Sequence, residues 1–348
     1  MEKMIKVLIV DDSAFMRMVL KDIIDKQPNM KVIGLARDGL EAIEKATNLK
    51  PDVITLDVEM PKLNGLEALK IIMKKSPTKV LMVSSLTSEG ASITIESLEN
   101  GAVDFIQKPA GSTSWTFRQV QDELIKKINE SSDINIDTLK LMKSDKTKVR
   151  KPVKLLGDKI LLVASSTGGP RSLDKVIPKL PGEINVPILV VQHMPAGFTK
   201  SLADRMNRIS DLTVKEAEDG DVLQKNYVYV APGNYHMGLK KINSGKIQIF
   251  LDSSEKINNV RPAADFTFDQ AAEIFNSGCV GVILTGMGRD GAKGAFKIKH
   301  YGGKIIAESK ETCVVYGMPK AVVEDGYADY ILPNHKIAEK LIEVLEEK

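Results

Sequence analysis

Residues 159–170 read Lys159-Ile-Leu-Leu-Val-Ala-Ser-Ser-Thr-Gly-Gly-Pro170. A short apolar run bounded by turn residues reads as a buried strand. It ends in two serines, a threonine and two glycines, so hydroxyls are delivered at a strand tip. Gly168 and Gly169 carry no Cβ and let another group approach the backbone closely. In open α/β sheets ligands bind beyond the carboxyl ends of the strands, where Ser166 falls. Taken alone, the stretch fits an ordinary strand-to-helix turn equally well.

Working outward from it, residues 157–348 repeat the pattern. Strand-like runs occur at 160–163, 187–191, 227–230, 247–251, 281–284 and 304–307, with helical periodicity between several and over 337–345. Three of these runs end in chemically able residues. The first delivers Ser166, the second Gln192-His193-Met-Pro195, and the fifth Thr285-Gly-Met-Gly-Arg-Asp290-Gly291. In a parallel sheet these ends lie along one edge. Serine needs a base to become nucleophilic, and the base needs a carboxylate to orient it. Ser165 is the alternative nucleophile, although neighbours on a strand face opposite ways. His236, after Ala231-Pro-Gly-Asn-Tyr235, competes with His193 as base. Gly286, Gly288 and Gly291 also match G-x-G-x-x-G, a pattern of nucleotide-binding loops. Asp290 inside that series would place negative charge against a pyrophosphate.

The first 130 residues alternate in the same way. Strands are expected at 6–10, 32–33, 52–56, 79–83 and 103–106, and helices after each. Five βα units imply a parallel sheet with helices on both faces. Asp11 and Asp12 follow the first strand, Asp57 the third, Ser84 the fourth and Lys108 the fifth. Carboxylates converging on one edge repel one another, and a hard divalent cation such as Mg²⁺ resolves that repulsion. With a lysine beside it, one such aspartate can accept a phosphoryl group. Between the two patterns, residues 140–154 hold seven basic residues against one acid, Asp145, which reads as a solvated tether.

A chain of 348 residues suits about two domains. The net charge of +3 argues for neither a nucleic acid nor a membrane surface. No apolar run reaches the ~18 residues of a membrane span, and no signal-peptide core precedes the first strand. A cytoplasmic protein without membrane insertion is expected. Cys279 and Cys313 each sit in an apolar run and read as buried free thiols.

Residues 4 to about 129 resemble the receiver domain of two-component response regulators, through Asp11-Asp12, Asp57 with Met60-Pro61 and Gly65, Ser84 and Lys108-Pro109. The resemblance implies phosphorylation at Asp57. It implies Mg²⁺ held by Asp11, Asp12, Asp57 and the Glu59 carbonyl, and a switch formed by Ser84, Phe105 and Lys108. With the second domain included, the chain resembles the chemotaxis protein-glutamate methylesterases, the CheB family. The motifs are 165–170 (Ser-Ser-Thr-Gly-Gly-Pro), 192–195, Ala231-Pro-Gly233, Arg261-Pro-Ala-Ala-Asp265 and 284–291. That resemblance implies Ser166 as nucleophile, His193 as base and Asp290 as orienting carboxylate, with Thr167, Gly168, Gly169 and Met287 on the oxyanion and substrate side. It further implies hydrolysis of glutamate methyl esters and deamidation of glutamines on chemotaxis receptors, a chemotaxis histidine kinase as phosphodonor, no nucleic-acid partner, and no cofactor in the second domain. The expected fold is two doubly wound α/β domains, a flavodoxin-like receiver (1–130) and a Rossmann-like methylesterase domain (157–348), joined by a basic linker (131–156). The alternative is a receiver-controlled, non-enzymatic regulator that binds a nucleotide or DNA.

Overall fold

A computed structural model describes residues 4–85, 87–108, 114–136 and 158–347. The basic tether at 140–154 and Pro109 lie outside these residues. The chain divides into two compact units, residues 1–141 and 142–348.

The first unit holds β1 (Ile5–Val10), α1 (Ala14–Asp25), β2 (Met30–Ala36), α2 (Gly39–Leu49), β3 (Val53–Asp57), α3 (Gly65–Lys75), β4 (Lys79–Ser84), α4 (Ser88–Glu99), β5 (Asp104–Gln107) and α5 (Ser114–Ser132). The strands form one parallel sheet in the order β2-β1-β3-β4-β5, the flavodoxin-like order expected of the five βα units. β1 and β3 are almost wholly buried because helices cover both sheet faces, which explains their unbroken apolar runs. Helix starts follow local chemistry. Ser13, Asp38, Asn64 and Thr87 each cap the helix after them by accepting a backbone N–H. Gly65 opens α3 where a Cβ would lie 2.0 Å from the Asp57 carbonyl oxygen, so only glycine lets the helix start against that strand end.

The second unit holds β6 (Ile160–Ser165), α6 (Gly169–Val176), β7 (Ile188–Gln192), α7 (Phe198–Ile209), β8 (Thr213–Glu216), β9 (Tyr227–Val230), β10 (His236–Lys241), β11 (Ile247–Asp252), α8 (Ala264–Phe275), β12 (Cys279–Ile283), α9 (Ala292–His300), β13 (Lys304–Glu308), α10 (Met318–Glu324), β14 (Tyr330–Leu332) and α11 (Asn334–Glu346). Seven strands form a parallel sheet in the order β14-β13-β12-β6-β7-β9-β8. From β6 the chain proceeds to β7 on one side, and from β12 to β13 on the other. The carboxyl ends of β6 and β12 therefore flank the point where the winding direction reverses, which is where such sheets bind ligands.

Two details depart from the sequence reading. The run at 247–251 joins the main sheet in no way: it pairs antiparallel with β10 in a separate two-stranded sheet. β8, β10 and β14 were not anticipated: β8 and β14 are strands of four and three residues with mixed burial and no strong apolar run, and β10 opens on a histidine and ends on two lysines.

The core of the second unit explains how the sheet aims its ends. Ile160, Leu162 and Ala164 of β6 and Leu189 and Val191 of β7 pack in one cluster with Phe268, Ala271 and Ala272 of α8. Because strand side chains alternate, residues 166 and 193 continue the face covered by α8, and residues 165 and 192 continue the opposite face.

In the first unit, burial raises the Glu130 carboxyl to about 7, with Lys126 only partly opposing it. A carboxyl raised on folding weakens the folded state as pH rises from its ordinary value to the raised one. Between pH 4.5 and about 7, the urea midpoint of the Glu130→Gln protein should therefore gain progressively on that of the parent. Paired denaturation curves across this range check it, and a constant difference between the two would contradict it.

Candidate active site and phosphoacceptor site

The second unit's site begins with the alternation just described. Ser165 pairs in register with Gln192 across β6 and β7. Its hydroxyl is buried and donates to Gln192 Oε1 at 2.6 Å. Ser166, one residue on, is partly exposed. The Ser166 N–H donates to Thr285 O at 3.0 Å, stitching the end of β6 to the segment after β12. Gly168 follows with φ +77°, the left-handed conformation that turns the chain into α6. Gly169 leaves no room for a side chain, since a Cβ would lie 2.0 Å from Gln192 Oε1.

From the sequence, Gln192 was placed at a strand end but given no role of its own. Its Nε2 donates to the carbonyls of Ser166 (3.0 Å) and His193 (3.2 Å). One buried amide thus fixes the backbone of both strand tips. The only sequence signal was its place just before His193.

His193 Nε2 lies 2.7 Å from Asp290 Oδ2, with the two side chains 10% and 2% exposed. The nitrogen that meets the carboxylate is Nε2, so Nδ1 is the one left for a substrate-side proton. Among the described residues no hydrogen bond joins the Ser166 hydroxyl to His193; such bonds often tighten only when substrate is bound. The Asp290 carboxylate also accepts N–H bonds from Ala264 (2.6 Å) and Asp265 (3.2 Å), in the first turn of α8, and the Asn258 amide at 3.0 Å. Burial works against its charge. His193 and these N–H groups outweigh that and hold Asp290 below the ordinary carboxylate range. A helix N-terminus favours a negative charge for the same reason. Asp265 goes the other way, pushed up by burial and by the charge of Asp290.

His236 is excluded as the base by its surroundings. It opens β10 and is fully buried, with Nε2 donating to Glu255 O (3.0 Å) and Nδ1 accepting from Ala263 N (3.2 Å). Its ring stacks on Phe266 at 4.9 Å between centroids. Both nitrogens are occupied by backbone groups, so neither is available to move a proton. Local sequence could not show this, because the partners come from residues 255 and 263.

Around the expected oxyanion side, Thr167 is buried, and its carbonyl accepts the Thr285 hydroxyl at 3.0 Å. The Thr285 N–H donates to buried Glu308 at 2.8 Å, and the Gly286 N–H to Val315 O at 3.0 Å. Met287 stands exposed on the same loop. The G-x-G-x-x-G match therefore sits on a loop braced by the body of the domain, with Asp290 turned inward to His193 rather than a phosphate cradle presented outward.

In the first unit, Asp11, Asp12 and Asp57 converge so that one oxygen from each lies within 4.8 Å of the others. Lys108 Nζ stands 2.7 Å from Asp57 and 3.0 Å from Asp11. Burial raises the Asp57 carboxyl to about 6, and Lys108 pulls against that rise. Three carboxylates against one ammonium leave excess negative charge, so the donor set fits a hard divalent cation. Arg17 donates to the carbonyls of Asp11 (2.7 Å) and Asp12 (3.0 Å), bracing the acidic loop. The Glu59 N–H donates to Asp57 Oδ1 at 3.3 Å, which places that backbone against the Asp57 carboxylate. Ser84 is buried with its hydroxyl on Ser85 O at 3.2 Å, and Phe105 is buried beneath the Lys127 ammonium. No helix among the described residues is long and apolar enough to cross a membrane.

An acidic pocket with a lysine on one doubly wound unit, and a histidine–aspartate pair with a serine at the neighbouring strand end on another, match the class of a receiver-regulated serine hydrolase. Residues 161–341 match the CheB methylesterase family, and residues 7–115 match the response regulator receiver domain family. The chain is 64% identical over 345 residues to the protein-glutamate methylesterase/protein-glutamine glutaminase of Thermotoga maritima, covering 99% of both chains. It is 49% identical over 354 residues to the protein of the same name from Pyrococcus horikoshii, covering 99% of this chain and 95% of that one. The crystal structure of the Thermotoga maritima CheB methylesterase catalytic domain superposes with a TM-score of 0.53 and 64% identity, over 54% of this chain and 100% of that one. This chain belongs to the CheB methylesterase family and carries that family's receiver domain.

Removing either buried polar neighbour should cost stability and leave the His193–Asp290 bond intact. Ser165→Ala strands Gln192 Oε1, and His236→Ala strands two backbone groups, each costing about 1–3 kcal/mol. The check is urea denaturation alongside the downfield imidazole N–H resonance of His193, which should persist in both variants.

Proposed function

We propose that this chain hydrolyses the methyl esters of glutamate side chains on chemotaxis receptors, and deamidates glutamines there, under control of phosphorylation at Asp57. The observation that carries the esterase reading is the 2.7 Å bond between His193 and Asp290, set next to the strand end bearing Ser166. The names of the full-length relatives supply the substrate class.

In this reading the Ser166 hydroxyl attacks the ester carbonyl while His193 Nδ1 takes its proton. Asp290 holds Nε2–H and stabilises the imidazolium. The imidazolium then protonates the departing methoxide, which leaves as methanol. Water attacks the acyl-serine, again giving its proton to His193, and glutamate leaves with the serine restored. For a glutamine substrate the leaving group is ammonia. The developing oxyanion is received on the side of Thr167, Gly168, Gly169 and the Met287 backbone. Preorganised donors of this kind are worth about 10²–10³-fold each in rate.

In the receiver, residues 1–130, Asp57 is the phosphoacceptor and Lys108 neutralises charge on the incoming phosphoryl oxygens. Asp11, Asp12, Asp57 and the Glu59 carbonyl would hold Mg²⁺, which shields the negative charge of the phosphoryl group when bound. Ser84 and Phe105 respond to the phosphoryl group. The phosphodonor is a chemotaxis histidine kinase, residues 131–156 are the linker, residues 157–348 the esterase domain, and the setting is the cytoplasm.

Ser166→Ala should abolish methanol release from methylated receptor membranes while Ser165→Ala retains it. Appreciable release from a folded Ser166→Ala protein would refute the nucleophile. A small phosphodonor with Mg²⁺ should raise the turnover of the full chain, and Asp57→Asn should remove the rise without abolishing the basal rate. An unchanged rise in Asp57→Asn would place the phosphorylation site elsewhere.

A further inference from the structure

The turn between β11 and α8 and the first turn of α8 together supply Asp290 with three donors, and one of them, from the turn, is a side chain. Asn258 Nδ2 donates to Asp290 Oδ1 at 3.0 Å and to Asp265 Oδ2 at 2.9 Å. A single amide nitrogen has two hydrogens, so it spans the two carboxylates with one hydrogen each. The other oxygen of Asp265 accepts the Gly294 N–H at 2.9 Å, in the first turn of α9. The chain of contacts runs His193, Asp290, Asn258, Asp265, Gly294, and its last members lie at the starts of α8 and α9.

The backbone shows why this position holds an asparagine. Asn258 and Asn259 have φ of +52° and +63°, and Val260 N–H donates to Ile257 O at 3.0 Å. Two successive left-handed residues closed by that bond follow the pattern of a type I′ turn, which favours Asn and Gly. Asparagine satisfies the turn and places a neutral donor between two acids. A lysine or arginine there would neutralise Asp290 and weaken its hold on the imidazolium. A small apolar residue would leave Asp290 Oδ1 with only the longer Asp265 N–H at 3.2 Å. The neighbouring charges are otherwise engaged: Arg289 with Asp325, Arg261 with the carbonyls of Ser253 and Ser254, and His236 with backbone on both nitrogens.

Resting on the esterase reading above, we propose that Asn258 and Asp265 are positioning residues for the hydrolysis. Together they fix the rotation of the Asp290 carboxylate so that Oδ2 stays aimed at His193. Neither touches substrate. Asp265 acts through Asn258 by holding the amide from the far side.

The test uses the full chain and methylated receptor membranes. Asn258→Gly keeps the left-handed turn and removes only the amide. Asp265→Asn keeps the shape of the side chain and turns its NH2 against one of two donors, the Asn258 amide or the Gly294 N–H, so the carboxylate no longer holds both. Each should lower kcat about tenfold with KM within about twofold. Each should also move the acid limb of the kcat/KM profile down by about half a pH unit, because a loosened carboxylate stabilises the imidazolium less. The double variant should be no worse than either single one, since both act through one contact. An unmoved acid limb, or costs that multiply in the double variant, would overturn the proposal. So would full activity in Asn258→Gly. The NMR signals of His236 serve as the folding control: if Asp265→Asn perturbs them, the Asn258→Gly result alone decides. A Ser166→Ala protein that still hydrolyses the ester would instead defeat the underlying triad reading, whatever the two positioning variants do.

Discussion

Parallel pairing of β6 with β7 on one side and β12 on the other brings the ends of three strands to one edge of the sheet. Strand alternation then decides which side chain at each end faces α8. By that alternation residues 166 and 193 follow the α8 face, and His193 meets Asp290, which is drawn to the N-terminus of that same helix. The opposite parity is also used. Ser165 and Gln192 meet on the other face, and their bond locks the backbone of the tips. A register slip of one residue in either strand would exchange the two sets and place Ser165 and Gln192 where the chemistry is needed.

The electrostatics follow from that placement. A carboxylate buried beside a histidine would lose its charge unless other donors compensated it. Asp290 has His193 first and then backbone N–H groups from α8 to hold its charge, so burial does not neutralise it. Its neighbour Asp265 absorbs the repulsion and is pushed the other way. The first unit solves a related problem differently. Its converging acids have a lysine, and a donor set suited to a cation, in place of a helix N-terminus. In both units the sheet edge collects charge that must be balanced by something the strands themselves do not carry.

Much of this was legible in the residues. Five apolar runs, four of them ending in Asp11-Asp12, Asp57, Ser84 and Lys108, specify the receiver sheet, because buried parallel strands need unbroken apolar runs and functional groups can sit only at their ends. The strand ends at Ser166, His193 and Asp290 were legible on the same grounds. The short strands β8 and β14 were not, since three or four residues of mixed burial carry no period. The run at 247–251 was seen as a strand but its partner was not: antiparallel pairing with β10 depends on a turn and a register that local apolarity does not encode.

By itself the sequence determined two α/β units, the converging acids at one sheet edge and a short set of candidates for the hydrolytic site. Tertiary structure alone separated those candidates. It engaged the Ser165 hydroxyl with Gln192, occupied both nitrogens of His236 with backbone, and turned Nε2 of His193 toward Asp290. It also set Asn258, which no local pattern marks, between Asp290 and Asp265, the last residue of the 261–265 motif, whose contacts the motif did not specify. The reason is physical: strand ends are announced by neighbours in sequence, whereas the free or occupied state of a polar atom depends on partners brought from distant segments.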